Sequence, residues 1–259
     1  MADPSGPAQR ALVTGAAGGI GHAIAARLLA AGWTVAAADL DRARLDLAAR
    51  GWDRSPFVAV ELDVRRRESV DLALERTWDQ LGGQDLLVNC AGIYPSHPIL
   101  EMEDADWDRV LATNLRGPFL LSRAFARRLV EAGYPGQIVN VTSGAARRAR
   151  RGAAHYCTSK AALEMLTRCL AIELAEHGIR VNAVAPGFVE VGSATNPLSE
   201  DYRRAITAAI PLGRAGRPED IAEMVLFLTG PAAEWVTGAS FSIDGGSGAG
   251  NIQLPLSRP

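Results

Sequence analysis

Short apolar runs alternate with stretches of helical periodicity along most of the chain. Seven runs rich in Val, Ile and Leu predict strands, at Ala11–Gly15, Thr34–Leu40, Phe57–Val64, Asp85–Gly92, Gln137–Ser143, Arg180–Gly187 and Ser240–Gly246. Six amphipathic segments predict helices, at Ile20–Ala31, Arg42–Arg50, Glu68–Leu81, Ala105–Glu131, His155–Glu176 and Pro218–Thr229. Such alternation is typical of parallel strands joined by right-handed crossovers. Several strands are apolar throughout, as strands covered on both faces are.

The pattern predicts a single α/β domain over residues 1–259. It is a doubly wound, Rossmann-type fold with a parallel seven-stranded sheet and helices on both faces, and its core spans 9–246. Residues 188–211 lack strong periodicity and contain Gly192 and Pro197. A connection of that length in a compact domain is usually functional, so we expect it to form a lid over the substrate.

Composition narrows the class of protein. The 259 residues are 48% hydrophobic and 22% charged, which excludes a disordered chain. A formal net charge of −2 predicts no nucleic-acid partner and no membrane partner. The start lacks the apolar segment of a secretory signal. Cys90, Cys157 and Cys169 have no metal-ligand spacing, so we expect no metal and reduced thiols in a cytoplasmic protein.

A glycine-rich segment, Thr14–Gly21, closes the first predicted strand and opens the first helix. Gly15 permits a tight turn, and Gly19 and Gly21 let backbone N–H groups and the helix N-terminus approach a pyrophosphate. The alternative is a structural turn with no ligand. The order of strand, loop and helix favours a dinucleotide site.

Acidic residues end the next two strands. Asp39 lies 24 residues after Gly15 and can accept hydrogen bonds from both hydroxyls of an adenosine ribose, while repelling a 2′-phosphate. We therefore predict NAD(H) rather than NADP(H), with Arg42 and Arg44 facing solvent; the alternative is that Asp39 is a turn residue. Asp63 is predicted to meet the adenine amino group, or else to be a solvated loop residue.

The strongest chemical signal is the pair Tyr156 and Lys160. These residues are spaced i, i+4 on a predicted helix and share one face. An ammonium close to a phenol favours the phenolate, which makes a general acid/base useful near neutral pH. The alternative is an exposed pair, but Lys160 is the only lysine among 27 basic residues. An arginine would not provide the same compact ammonium.

Two further polar residues are candidates for the same site. Ser143 ends the fifth strand and either donates a hydrogen bond to a substrate oxygen or caps a turn. Asn114 lies within an apolar stripe, four residues before Pro118. Because proline has no N–H, the Asn114 carbonyl loses its helical partner and is predicted to bind a relay water near Lys160. The alternative is a helix kink with a buried Asn that bonds to backbone.

Together these residues resemble the classical short-chain dehydrogenase/reductase family over about residues 9–246. The matching motifs are TGxxxGxG at Thr14–Gly21, the acidic end of the second strand, Asp63-Val64, Asn114, Ser143 and YxxxK at Tyr156–Lys160, followed by Arg180-Val181-Asn182, Pro186-Gly187, Pro211–Arg214 and Asp244–Gly246. Two positions depart from the family. Cys90 replaces a second Asn, and Val191 replaces a Thr that contacts the cofactor carboxamide; Val189, Ser193 or Thr195 is expected to take over that contact.

The resemblance implies hydride transfer between a nicotinamide and a secondary alcohol or ketone. Tyr156 would transfer the proton, Ser143 would hold the substrate oxygen, Lys160 would bind the nicotinamide ribose and Asn114 would anchor a water. The implied cofactor-binding residues are Gly15, Gly18, Gly19, Ile20, Gly21, Asp39, Leu40, Asp63, Val64, Asn89, Ala91, Gly92, Tyr156, Lys160, Pro186, Gly187 and Val189. Family members commonly form homotetramers, or homodimers, through the two long helices.

A small hydroxylated, cyclic or sugar-like substrate is ranked above an acyl thioester. At positions where acyl-carrier-protein reductases often have docking arginines, this chain has Tyr134 and His177. A 3-oxoacyl-(acyl-carrier-protein or CoA) reductase is the enzymatic alternative, and a non-catalytic nucleotide-binding scaffold is the alternative of another class. Arg147, Arg148, Arg150 and Arg151 precede Tyr156 and either bind an anionic substrate or form a solvated or subunit-interface loop.

Overall fold

The computed structural model describes residues 9–52, 56–191 and 198–250. Within this part of the chain seven parallel strands form one sheet in the order β3-β2-β1-β4-β5-β6-β7. The strands are β1 (Arg10–Thr14), β2 (Thr34–Asp39), β3 (Phe57–Glu61), β4 (Leu86–Asn89), β5 (Gly136–Val141), β6 (Ile179–Pro186) and β7 (Ser240–Ile243). The strand order reverses direction between β1 and β4, which opens a crevice at the carboxyl edge of the sheet.

Helices cover both faces of this sheet. They are α1 (Gly19–Ala30), α2 (Arg42–Ala48), α3 (Arg67–Leu81), α4 (Asp104–Leu111), α5 (Gly117–Ala132), α6 (Ala154–Leu174), α7 (Glu200–Ala208) and α8 (Pro218–Thr229). Alternate residues of β1 face opposite sides: Ala11 and Val13 pack in one apolar core with α1 and α8, and Leu12 packs in a second core with α3 and α5. The predicted doubly wound fold is therefore confirmed.

The predicted strands extend too far at their carboxyl ends. β3 ends at Glu61 and β4 ends at Asn89, although the apolar runs continue for three residues beyond each of them. The chain leaves the sheet at these points and lies across its carboxyl edge. Apolar side chains such as Leu62 and Val64 remain buried there without belonging to a strand, so hydrophobicity alone overestimates strand length.

The predicted long helix over residues 105–131 is interrupted. A π-helical turn, Ala112–Arg116, separates α4 from α5, and the Gly117 N–H donates to the Ala112 carbonyl five residues earlier. The interruption expected from Pro118 is thus present, in the turn that precedes it. The apolar stripe also divides, since Leu115 and Phe119 line a surface recess while Asn114 and Pro118 are buried.

The segment predicted as an irregular lid contains a helix. Residues 192–197 lie outside the described residues, but α7 follows them; the Ser199 hydroxyl accepts a hydrogen bond from the Tyr202 N–H, and Glu200 and Asp201 lie in the first turn. A capping serine followed by acidic residues is a helix-start signal that the periodicity analysis overlooked. Among the described residues no helix has the length and hydrophobicity needed to cross a membrane.

Candidate active site

The glycine-rich loop lies at the reversal point between β1 and β4. Gly15 has φ +73°, and a Cβ there would come within 2.9 Å of the Ala91 Cα. A Cβ on Gly21 would lie 2.2 Å from the Gly15 carbonyl oxygen. Thr14 fixes the neighbouring loop, because its hydroxyl accepts hydrogen bonds from the N–H groups of Cys90 (3.0 Å) and Ala91 (3.1 Å). Side chains at these glycines would disrupt the floor of the crevice.

Asp39 lies beside this loop, at the end of β2. Its carboxylate accepts hydrogen bonds from the N–H groups of Ala17 (3.0 Å) and Asp41 (3.2 Å). A carboxylate has about four acceptor sites, so it can still accept from ribose hydroxyls. Arg44, expected to face only solvent, is exposed but reaches back, with its Nη2 3.6 Å from the Cβ position of Gly18. The loop therefore has a cation beside it that sequence reasoning missed.

Asp63 follows β3 as expected, but its carboxylate is bound within the protein. Arg65 donates to it from Nε (2.8 Å), Nη2 (2.7 Å) and its backbone N–H (3.0 Å). The side-chain hydrogen bond from Arg65 is the main reason that the pKa of Asp63 is lowered. An adenine amino group would have to share this carboxylate with Arg65.

Asn89 ends β4, and its side chain points into the core rather than toward the crevice. Its Nδ2 donates to the Ser122 hydroxyl (3.0 Å) and to the Asn140 Oδ1 (2.8 Å), and Asn140 in turn donates to the Thr167 hydroxyl (2.9 Å). All four residues are buried. The network joins β4, α5, β5 and α6, and it directs the Asn89 Nδ2 into the core. The sequence analysis missed this network.

Tyr156 and Lys160 share one face of α6, as their spacing predicted. The Lys160 Nζ lies 5.9 Å from the centroid of the Tyr156 ring and donates a 2.8 Å hydrogen bond to the Val141 carbonyl at the end of β5. Lys160 is buried, and the backbone at Gly92 passes close by: a Cβ there would lie 3.7 Å from Nζ. One of the three ammonium protons is used on β5, and the other two are available to a ligand.

Ser143 lies two residues beyond β5 and contacts the phenol. Its hydroxyl oxygen accepts a 3.1 Å hydrogen bond from the Ala145 N–H, so it caps the following turn. The same hydroxyl lies close enough to Tyr156 to lower the pKa of the phenol. The capping interpretation of Ser143 is therefore confirmed, and donation to a substrate oxygen stays a prediction.

Burial opposes the titration behaviour expected for the pair. It raises the pKa of Tyr156 above its usual value, while Ser143 and then Arg150 act in the opposite direction. Burial also lowers the pKa of Lys160 to about 8. Lys160 is not among the groups that lower the pKa of Tyr156, contrary to expectation. The net shift is upward because removing the phenolate charge from water costs more free energy than Ser143 and Arg150 recover.

Asn114 is held by the backbone of Ile93. Its Oδ1 accepts from the Ile93 N–H at 2.9 Å, and its Nδ2 donates to the Ile93 carbonyl at 2.8 Å and to the Ser159 hydroxyl at 3.3 Å. Its Oδ1 also lies 3.3 Å from the Cβ position of Gly92, which borders Lys160. The side chain is thus the buried, backbone-bonded amide of the alternative interpretation, and it lies beside the lysine as the catalytic interpretation requires.

The segment after β6 closes the crevice from the other side. Gly187 has no room for a Cβ, which would lie 2.7 Å from the Asp244 Cα. The Glu190 N–H donates to the Gly216 carbonyl and the Gly216 N–H donates to the Phe188 carbonyl, each at 2.9 Å. Val191 then packs over the glycine-rich loop, 3.2 Å from the Cβ position of Gly19. Ser193 and Thr195, the other expected carboxamide contacts, lie outside the described residues.

Known proteins share this architecture along most of its length. A sequence profile described as Enoyl-(Acyl carrier protein) reductase matches residues 15–248. The (3R)-3-hydroxyacyl-CoA dehydrogenase of Mus musculus is 40% identical over 246 residues, covering 91% of this chain and 95% of the relative. The chain belongs to the short-chain dehydrogenase/reductase family. This confirms the resemblance that the sequence motifs indicated.

Other members of the short-chain dehydrogenase/reductase family are similar to the same extent. Sorbitol dehydrogenase of Cereibacter sphaeroides is 36% identical over 249 residues, covering 92% of this chain and 96% of the relative. The crystal structure of a putative gluconate dehydrogenase from Agrobacterium tumefaciens superposes with a TM-score of 0.87 at 34% identity, covering 93% of this chain and 96% of that one. The protein is therefore an oxidoreductase acting on CH–OH groups with a nicotinamide cofactor.

The crevice residues fit such a cofactor. The loop at Gly15 and Gly21 leaves backbone in place of side chains, the Asp39 carboxylate keeps acceptor sites for hydroxyl groups, and Lys160 keeps two donors. These features lie along one edge of the sheet, with Tyr156 at the end nearest β5 and β6.

Proposed function

We propose that the protein interconverts a small secondary alcohol and its ketone with NAD(H), and that Tyr156 transfers the proton. The observation that carries this proposal is that Ser143, just beyond the carboxyl end of β5, lies close to Tyr156 and Lys160 on the neighbouring helix α6, beside the crevice. A scaffold that only bound nucleotide would not need a phenol, a hydroxyl and a buried ammonium placed close together.

The dinucleotide would lie along the residues inferred from the sequence. Its pyrophosphate would meet the loop formed by Gly15, Gly18, Gly19, Ile20 and Gly21. Around the adenosine would lie Asp39, Leu40, Asp63 and Val64, together with the backbone of Asn89, Ala91 and Gly92 against its ribose, and toward the nicotinamide would lie Pro186, Gly187 and Val189. When bound, the nicotinamide supplies or accepts the hydride. Leu40 is exposed next to Asp39 and offers an apolar surface at the adenosine end.

The protein's own groups hold and move the proton. Ser143 donates to the substrate oxygen and keeps it within reach of the Tyr156 phenol, which gives or takes the proton. Lys160 is fixed by Val141 and directs its remaining protons toward the crevice. Asn114 holds the loop at Ile93, so the wall that borders Lys160 is rigid. A relay water near Lys160 would bind to the Asn114 backbone carbonyl.

NAD is preferred to NADP because Asp39 would face the 2′ position of the adenosine ribose. Arg44 weakens this preference without reversing it, since the Asp39 carboxylate is at the end of β2 itself whereas Arg44 approaches from an exposed helix. A 2′-phosphate beside a carboxylate would be strongly repelled in a partly buried crevice.

An acyl thioester is the second candidate substrate. The similarity to (3R)-3-hydroxyacyl-CoA dehydrogenase favours it, because that relative is 40% identical along nearly its whole length. The sorbitol dehydrogenase relative favours the small hydroxylated substrate. Reduction of acetoacetyl-CoA, compared with oxidation of polyols and simple secondary alcohols, would separate these two candidates.

Tyr156→Phe tests the catalytic assignment. This substitution removes one oxygen, so NADH fluorescence on binding should persist while turnover falls by roughly three orders of magnitude or more. Tyr134→Phe, at an exposed tyrosine between α5 and β5, is the matched control and should retain full turnover. Undiminished turnover in Tyr156→Phe would refute the assigned role.

We also infer a homotetramer, or a homodimer, in a cytoplasmic setting. Apolar side chains on α4, α5 and α6 line an open recess on the surface, at Leu111, Leu115, Phe119 and Leu166. Exposed patches of this kind commonly mark interfaces, and a second copy of the chain would cover it. The cytoplasmic assignment is supported by Cys90, Cys157 and Cys169, which are all free thiols.

A further inference from the structure

The loop before α6 contains four arginines that the structure separates by role. Arg147 is held inward, with Nη2 3.1 Å from the buried Glu164 carboxylate and Nη1 donating to the Ser242 hydroxyl at 3.0 Å. Arg148 donates to the Ser247 carbonyl. These two side chains bind the loop to α6 and to the segment around β7. They are structural, and neither is available to a substrate in this arrangement.

Arg150 is placed differently. Its guanidinium carbon lies 5.7 Å from the centroid of the Tyr156 ring, and the side chain is exposed. The nearby carboxylate of Asp106 is already bound by Arg109 at 2.8 Å and lies 3.5 Å from His97. Across the residues that the structure describes, Arg150 makes no ion pair with a carboxylate. An exposed cation therefore lies against the ring of the proposed proton donor, and no carboxylate among the described residues neutralises it.

We propose that Arg150 binds a carboxylate carried by the substrate within a few bonds of the reacting carbon. The proposal deepens the proposed function and rests on it, because it defines which secondary alcohols the site prefers: hydroxy acids and their oxo acids. Arginine suits this role, since its planar guanidinium can form two parallel hydrogen bonds to a carboxylate. Tyr94, whose ring centroid is 6.2 Å from that of Tyr156, provides an aromatic wall in the same cleft.

The position of Arg150 favours a carboxylate over the phosphates of a coenzyme A or carrier-protein arm. Such phosphates are separated from the thioester carbonyl by the whole pantetheine chain, whereas Arg150 is within 6 Å of the ring that exchanges the proton. An anion bound by Arg150 must therefore belong to the part of the substrate next to the reacting carbon. A phosphate contact would instead require a cation at the outer rim of the cleft.

The test measures binding to a complex that cannot react. Acetoacetate, levulinate and 5-oxohexanoate, each paired with its methyl ester, are titrated by calorimetry into the enzyme with NAD+, and acetoacetyl-CoA is titrated in parallel. At least one acid should bind roughly 10- to 100-fold more tightly than its ester. Arg150→Gln should abolish that ratio and Arg150→Lys should restore part of it. Arg151→Gln, an exposed neighbour on the same loop, should leave the ratio unchanged.

Three results would overturn the proposal: no acid preferred to its ester in the unaltered enzyme, a preference that survives Arg150→Gln, or a loss confined to acetoacetyl-CoA. The last would assign the anion site to a phosphate. Failure of the proposed function gives a different result, namely turnover of the neutral esters that survives Tyr156→Phe. The binding ratios do not depend on turnover, so the two failures are distinguishable.

Discussion

The amide of Asn114 pairs with the backbone of Ile93 through two hydrogen bonds, as one β-strand pairs with another. A carboxylate at this position would keep the acceptor for the Ile93 N–H but would face the Ile93 carbonyl with no proton to donate. Asn114→Asp should therefore lower the free energy of unfolding by about 1–3 kcal/mol and reduce turnover. Thermal unfolding measures the first effect. Thr113→Ala, one residue away, should change stability much less.

Lys160 should give stability a distinctive dependence on pH. Its pKa is about 8 in the folded protein and 10.5 when unperturbed. Between these values the unfolded chain binds a proton that the native state has lost, so the contribution of Lys160 to the free energy of unfolding rises with pH, by roughly 3 kcal/mol in total. Cys90 acts in the opposite direction above pH 9, because burial raises its pKa to about 12. Lys160→Met should remove that rise in denaturant titrations across pH 8 to 10.5, whereas Arg151→Met should preserve it. Superimposable pH profiles for wild type and Lys160→Met would contradict the shifted pKa.

Replacing Asp39 should change the cofactor preference. Asp39→Ser removes the charge opposite a 2′-phosphate and should raise the ratio of kcat/KM for NADP to that for NAD by at least roughly tenfold. Adding Arg44→Gln should cancel much of the gain, because Arg44 is the cation nearest Gly18. Asp41→Ser is the control, since serine can still accept the Arg44 N–H at the start of α2. A ratio that does not move would place Asp39 outside the ribose site.

The cysteines should differ sharply in reactivity. Burial raises the pKa of Cys90 to about 12, whereas Cys169 is exposed. Because the thiolate is the reactive form, iodoacetamide at pH 8 should label Cys169 in the folded protein much faster than the half-buried Cys90, and unfolding should make the two rates similar. Peptide mass spectrometry over time gives the two rates. Equal rates would show that the chain segment after β4 opens readily.

A charge in the apolar recess should disrupt the oligomer. Phe119 is 39% exposed at the start of α5, and Phe119→Glu would place an anion against the same surface of a second copy. Light scattering after size exclusion should show smaller particles than for the unaltered protein. Leu72→Glu, on the exposed side of α3, should leave the mass unchanged.

The sequence was most informative where one physical requirement dominates. Continuous apolar runs predicted every strand of the sheet, and the fixed spacing of Tyr156 and Lys160 predicted a shared helical face that the structure confirms. It was less informative where partners come from distant parts of the chain. Nothing local indicates that the Asn89 side chain turns inward to Asn140, 51 residues away. The pairing of Asp63 with Arg65 was missed although the two residues are only two positions apart.

Titration behaviour was also beyond the sequence. The i, i+4 spacing indicates that an ammonium lies near a phenol, but the cost of removing both groups from water depends on how closely β5, Gly92 and Asn114 surround them. That cost reversed the expected direction for Tyr156. The distinction among four loop arginines likewise required coordinates, because only their partners separate Arg147 from Arg150.

The π-helical turn at Ala112–Arg116 contains one more residue than a regular α-helical turn. Because the wider turn absorbs that extra residue, deleting one residue there would convert it into a regular helical turn and would leave α4 and α5 in nearly the same relative orientation. The change would fall on the turn itself, where Asn114 would lose the placement that lets it bond to Ile93. One surplus residue thus shapes the wall of the reaction site, while the helices that line the apolar recess keep their alignment.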